Sequence, residues 1–238
     1  MVRGLYAAAA GIRTQIAKND VYAANLANVS TAGYRRSRIS QESFSPVLAA
    51  VQNPNEPLRS GLGVSSGGLD LTPGPISQSG SDFDLAIVGQ GFFCVRTPAG
   101  DSFTRNGQFQ LDANNIVVTR DNYPLLGAKG PIRIASGSMT VDERGQVWDG
   151  EQLVDGLRIV EFPDPAGLTK AAAGLILGTG QRPAGNYKIM QGAVEGSNVD
   201  AMMELQRMMN GLRLYEANVR VLQAHDESIG VLLREAAG

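Results

Sequence analysis

The feature that most restricts what this chain can fold into is a long apolar stripe near its C-terminal end. Leu205, Met208, Leu212, Tyr215, Val219, Leu222, Asp226, Ile229 and Leu233 recur at alternating spacings of three and four, and only Asp226 breaks the apolar run. Such spacing places side chains on one helix face in the manner of a coiled-coil seam. "SNVD" at 197–200 predicts the start, with Ser197 or Asn198 as N-cap and Asp200 in the positive first turn. A helix over 198–235 spans about 55 Å, longer than globular helices usually run.

The N-terminal end carries a matching pattern. Leu5, Ala9, Ile12, Ile16, Asn19, Ala23 and Leu26 alternate spacings of four and three, which predicts a helix over about 2–29. The alanines at 7–10 keep it narrow enough for another helix to approach closely. Residues 1–45 hold six basic and two acidic side chains, whereas residues 195–238 hold four basic and seven acidic. Opposite charge favours pairing of the two ends. The N-terminus imitates a secretory signal, but its apolar part is short and Arg13 follows at once. If the protein leaves the cytoplasm, the expectation is that it does so with this end intact.

The middle is a different kind of sequence. Prolines at 46, 54, 57, 73 and 75 with many Gly and Ser predict an extended connector. From 83 onward short apolar runs alternate with turn signals: "FDLAIVG", "GFFCVRT", then "NG" at 106–107 as a hairpin signal. Asn115 and Asn122 suit left-handed turn positions. The expected fold class is α+β: long N- and C-terminal helices paired as a coiled coil, with an inserted, mainly antiparallel β domain. The expected divisions are an N-terminal helix over 1–35, a Gly/Pro-rich connector over 36–80, a β domain over 81–195 and a C-terminal helix over 196–238.

A search for chemistry finds little. One histidine, His225, and one cysteine, Cys94, cannot build a His-rich or multi-cysteine metal site. Cys94 sits in a buried-strand pattern and reads as an inert core thiol. "GQG" at 89–91 joins two strands and lacks the helix a dinucleotide site needs. Asp82 and Asp84 fit a turn better than acid–base catalysis. Asn28-Val29-Ser30 matches a glycosylation sequon, a pattern common by chance. Neither cofactor nor metal is expected, and an enzyme, such as a wall hydrolase, is disfavoured. A formal charge of −2 gives no global field for nucleic acid, and no apolar run is long enough to span a membrane.

Three blocks carry a resemblance. "LYAAAAGI…NDVYAANLANVSTAGYRRSR", "FDLAIVGQGFFCVRTPAGDSFTRNGQFQLD" continued by "NYPLLG", and "GAVEGSNVDAMMELQRMMNGLRLYEANVRVLQAHDE" occur in that order. The chain thereby resembles the bacterial flagellar rod and hook proteins. The family's Asn-x-x-Asn pair and following turn fall on Asn25, Asn28, Thr31, Gly33, Tyr34 and Arg35. The resemblance implies a structural subunit of the basal-body rod, exported by the flagellar type III apparatus and assembled across the periplasm. Implied partners are other copies, neighbouring rod proteins, the surrounding rings and hook-proximal components. "VEGSNV" and the short chain look most like the proximal-rod protein next to the distal rod. A distal-rod protein or a secretion cap or adaptor is the alternative. The implied helix-packing seam consists of Leu5, Ile12, Ile16, Leu26, Leu205, Met208, Leu212, Tyr215, Val219, Leu222, Ile229 and Leu233.

Overall fold

A computed structural model describes residues 2–41, 64–164, 167–171 and 174–236. Residues 42–63 of the expected connector therefore lie outside the described residues, as do the side chains of Leu5, Ile229 and Leu233. Two compact units are present. One comprises residues 1–27, 37–67 and 200–238, the other residues 28–36 and 68–199.

The second unit is a β body. Its core strand is β5 (Phe92–Thr97), in the six-stranded order β13-β14-β6-β5-β12-β15. The members are β6 (Gly100–Thr104), β12 (Ile159–Glu161), β13 (Thr169–Lys170), β14 (Ile176–Leu177) and β15 (Arg182–Pro183). The apolar run Phe92-Phe93-Cys94-Val95 is buried on both faces of β5, as a continuous rather than alternating pattern requires. Phe93 and Val95 join a cluster with Leu85, Ile87, Phe109, Leu125 and Ile189. Phe92 and Cys94 join another with Phe103, Val160 and Phe162. Edge-to-face rings fix both, Phe93 on Phe109 at 5.2 Å and Phe103 on Phe162 at 4.9 Å.

Smaller antiparallel groups surround this sheet. β4 (Leu85–Gly89) pairs with β16 (Tyr187–Gln191), with Ile87 opposite Ile189. β3 (Ile76–Gln78) pairs with β17 (Ala193–Glu195), and β7 (Phe109–Leu111) with β8 (Val117–Thr119). β9 (Met139–Val141), β10 (Gln146–Asp149) and β11 (Gln152–Gly156) form a three-stranded group. Asn115 and Asn122 take φ of 62° and 61°, the left-handed turns foreseen for them. Asn106-Gly107 is not a hairpin turn, because β6 pairs with β5 while β7 pairs with β8. Instead Gly107 crosses beneath β4, where a Cβ would fall 1.6 Å from the Leu85 carbonyl oxygen.

The first unit holds α1 (Val2–Ala27), α2 (Ala201–Ala236), β1 (Ser37–Gln41) and residues 64–67 of its sheet partner β2 (Val64–Leu69). Here the expected fold class needs correction. Among the described residues there are seventeen strands against two helices, so the chain is mainly β. The apolar coiled-coil seam is not formed either. Ile16 is 48% exposed, Leu205 37% and Leu212 47%. The positions that meet α1 lie one residue earlier on α2: Glu204, Gly211 and Asn218. Asn25 donates to Glu204 at 3.4 Å. A Cβ on Gly211 would fall 2.3 Å from Asn19 Oδ1, and one on Gly11 3.0 Å from Asn218 Nδ2. Small residues let the backbones approach until asparagine side chains fill the gap. Large apolar side chains cannot fit there, and that turns the predicted stripe aside. Met208, Tyr215, Val219 and Leu222 are half-buried, as are Ile12 and Leu26.

The start of α2 also differs from expectation. Asp200 Oδ1 accepts the backbone N–H groups of Met202 at 2.9 Å and Met203 at 3.1 Å. Asp200 is therefore the N-cap, and neither Ser197 nor Asn198 has that place.

Candidate functional site

After Ala27 the chain leaves its helix through a turn built from the expected motif. Thr31 donates its backbone N–H to the Asn28 carbonyl at 3.2 Å and its hydroxyl to Asn28 Oδ1 at 3.2 Å. Tyr34 N–H returns to the Thr31 carbonyl at 3.3 Å. Gly33 has φ of 67° and donates to the Glu195 carbonyl at 2.7 Å. A Cβ there would lie 2.2 Å from the Asn106 backbone nitrogen. Glycine is required twice over, by conformation and by contact.

The next residue, Arg35, points inward. Its Nη2 meets Glu195 Oε1 at 2.6 Å, and Arg105 Nη1 meets Glu195 Oε2 at 3.0 Å. All three side chains are at most 3% exposed. Gly74 N–H adds a donor to Glu195 Oε1 at 2.8 Å. Arg105 also donates to the carbonyls of Ile87, at 2.8 Å, and Gly89, and stacks over the Phe92 ring. Burial pulls the Arg105 pKa down to about 10, against the opposing pull of Glu195. One carboxylate thus serves two buried cations, and removing it would leave both uncompensated.

Asn198 completes the crossing of the chain ends. Its Oδ1 accepts Arg36 N–H at 2.7 Å, and its Nδ2 donates to the carbonyls of Asp70 at 2.8 Å and Thr72 at 2.9 Å. In the other unit Asn25, fully buried, treats Ser37 as a strand would. Its Oδ1 accepts Ser37 N–H at 2.9 Å and its Nδ2 donates to the Ser37 carbonyl at 3.1 Å.

Beside the turn lies a cavity of about 610 Å³. Its lining includes Asn28, Thr31 and Tyr34, together with Asn106, Arg120 and Lys170. Lys170 Nζ sits 3.5 Å from the centre of the Tyr34 ring. Burial lowers its pKa to about 8.

The structure brings Asn28, Thr31, Gly33, Tyr34 and Arg35 into one turn of the β body, and Asn25 into the helical unit. Sequence reasoning missed Glu195, Arg105, Asn198 and Lys170 as parts of this arrangement. Glu195 and Asn198 stand in the quoted "VEGSNV", a segment without periodicity. Arg105 precedes "NG", which drew attention to the wrong turn. Nothing near Lys170 signals a cavity. Cys94 is fully buried in β5 and burial pushes its thiol up to about 12, so it stays protonated. Among the described residues no cluster of three or more His, Cys, Asp or Glu side chains could hold a metal ion. No described helix is long and apolar enough to cross a membrane.

Comparison with known proteins matches these regions. Residues 86–148 fit the family described as flagellar hook protein FlgE/F/G D1 domain. Residues 190–235 fit flagellar basal body rod FlgEFG protein C-terminal. The chain is 30% identical to the flagellar basal-body rod protein FlgG of Bacillus subtilis, over 98% of both chains. It is 29% identical to FlgF of Caulobacter vibrioides over 85% of both. With FlgF of Escherichia coli it shares 25% identity over 97% of this chain and 96% of the relative.

Proposed function

Since this chain belongs to the flagellar basal-body rod protein family, we propose that it forms the proximal segment of the rod. It is a structural subunit of the flagellar basal body, and it assembles there with other rod proteins. The observation that carries this reading is the near end-to-end match to rod proteins, terminal helices included. The exposed apolar face of α2 supports the same role. Met202, Met209 and Leu212 stand exposed on one side of it, a surface that calls for partners.

In the proximal position the subunit lies in the periplasm, passes the flagellar export apparatus with its N-terminus intact, and transmits torque. Its neighbours are other copies, the adjoining rod proteins, and the rings and hook-proximal components around and beyond it. In the motif, Asn28, Thr31, Gly33, Tyr34 and Arg35 fix one turn of the β body and Asn25 ties Ser37 within the helical unit, so that each unit presents the same surface in every copy. The role is mechanical rather than catalytic. A distal-rod position is the second reading, favoured by the FlgG relatives that match over nearly the whole chain.

The test is deletion of the gene in its own host, followed by imaging of the basal bodies. Rods truncated below the distal segment, without hooks, are the expected result. Proximal rods of normal length lacking only their distal part would favour the second reading. Complete rods and hooks, with the protein absent from purified basal bodies, would point to a secretion cap or adaptor.

A further inference from the structure

The cavity beside the Asn28–Arg35 turn has a charge that the chain itself leaves uncompensated. Lys170 Nζ is buried and has no hydrogen-bond partner. Among the described residues its close electrostatic partner is the Tyr34 ring, whose face attracts a cation but carries no counter-charge. Burial alone lowers its pKa, with no anion acting against it. Arg120 adds a second cation to the lining and Asp121 one anion, so the cavity is net positive. Ser30, Thr31, Asn106 and Gln108 surround it with polar groups. At about 610 Å³ the space admits a side chain with part of its backbone.

We propose that this cavity receives a carboxylate side chain from a second copy of the chain. The inference rests on the rod reading, which puts copies in contact. Charge points to the acidic C-terminal region as the donor. Residues 195–238 carry seven acidic against four basic side chains, and Glu216 and Glu227 of α2 are exposed. A carboxylate entering from a neighbour supplies the hydrogen-bonded counter-ion that Lys170 lacks, once the covered ammonium turns from the Tyr34 ring into the cavity. The cavity walls contain Asn28, Thr31 and Tyr34, so occupation would brace that turn of the β body.

The test uses the purified full-length chain with Lys170→Met and Lys170→Arg. Replacing an uncompensated buried ammonium by an apolar side chain relieves a desolvation cost, so Lys170→Met should raise the Tm of the monomer. Weaker association of that variant could then not be blamed on misfolding. Sedimentation velocity should show self-association weakened by about tenfold or more for Lys170→Met and by less for Lys170→Arg. Carbodiimide coupling of mixed ¹⁴N- and ¹⁵N-labelled chains should yield a mixed-isotope link from Lys170 to an Asp or Glu. Unchanged association of Lys170→Met, or links confined to single chains, overturns the proposal. So does a wild-type chain that stays monomeric and unlinked. The rod assignment is decided separately by the basal-body images, so the two failures are distinguishable.

Discussion

The β body and the helical unit solve opposite problems with the same residue types. In the body, apolar side chains are inside and the charges that enter are shared around Glu195. In the helical unit the order is reversed. Asparagine, glycine and glutamate occupy the contact between α1 and α2, while Met202, Met209, Leu205 and Leu212 of α2 are exposed. The body encloses its own apolar core and leaves one buried charge, Lys170, without a hydrogen-bonded partner among the described residues. The helical unit leaves large apolar side chains of α2 exposed, a surface that the proposed rod assembly would cover.

The contrast is open to attack at several points. Glu195→Ala should have the largest effect, costing about 3–5 kcal/mol because it strands two buried guanidinium groups. Urea unfolding of the full chain measures it, and a loss below about 1 kcal/mol would mean water compensates Arg35 and Arg105. Phe93→Ala should cost nearly as much, about 3–5 kcal/mol, as a cavity opens in the larger core cluster. Gly33→Ala comes next. The left-handed backbone alone costs about 1–3 kcal/mol, and the overlap with Asn106 adds to it. Restored stability in Gly33→Asn would assign the effect to conformation rather than contact.

The helical side of the comparison predicts small numbers. Leu205→Ala and Leu212→Ala should change monomer stability by no more than about 0.5 kcal/mol. Were these positions a packed seam, the same changes would cost about 2–5 kcal/mol. Chemical denaturation therefore separates the two arrangements directly, and the same variants should lower incorporation into rods.

A pH dependence at Lys170 tests the body from another side. Its folded pKa is about 8, below the ordinary 10.5. Between those values the unfolded state binds more protons, so stability rises with pH relative to a chain without the lysine. Lys170→Met should thus be more stable than wild type below about pH 8, with the advantage fading as pH climbs towards 10.5. Cys94 titrates alike in both chains and cancels in the difference. Parallel urea curves at each pH check the sign.

Periodicity and turn chemistry were enough to mark both terminal helices, the apolar strand at Phe92–Val95 and the left-handed turns at Asn115 and Asn122. These depend on neighbours in the chain, and a sequence displays its neighbours. The exit turn was visible because glycine and asparagine have backbone preferences that act locally. What the sequence could not display was which face of each helix would meet the other. Three- and four-residue spacings fit two adjacent rows on α2 equally well, and the apolar row was the natural choice. The small residues Gly11 and Gly211 reversed it, because close backbone approach is decided by the pair and not by either helix. The same holds for Glu195. Its role depends on Arg35 and Arg105, which stand 160 and 90 residues away along the chain. No pattern within a window links charges at such separations; only the folding of the β body, which brings their strands and turns together in a buried interior, makes them one network.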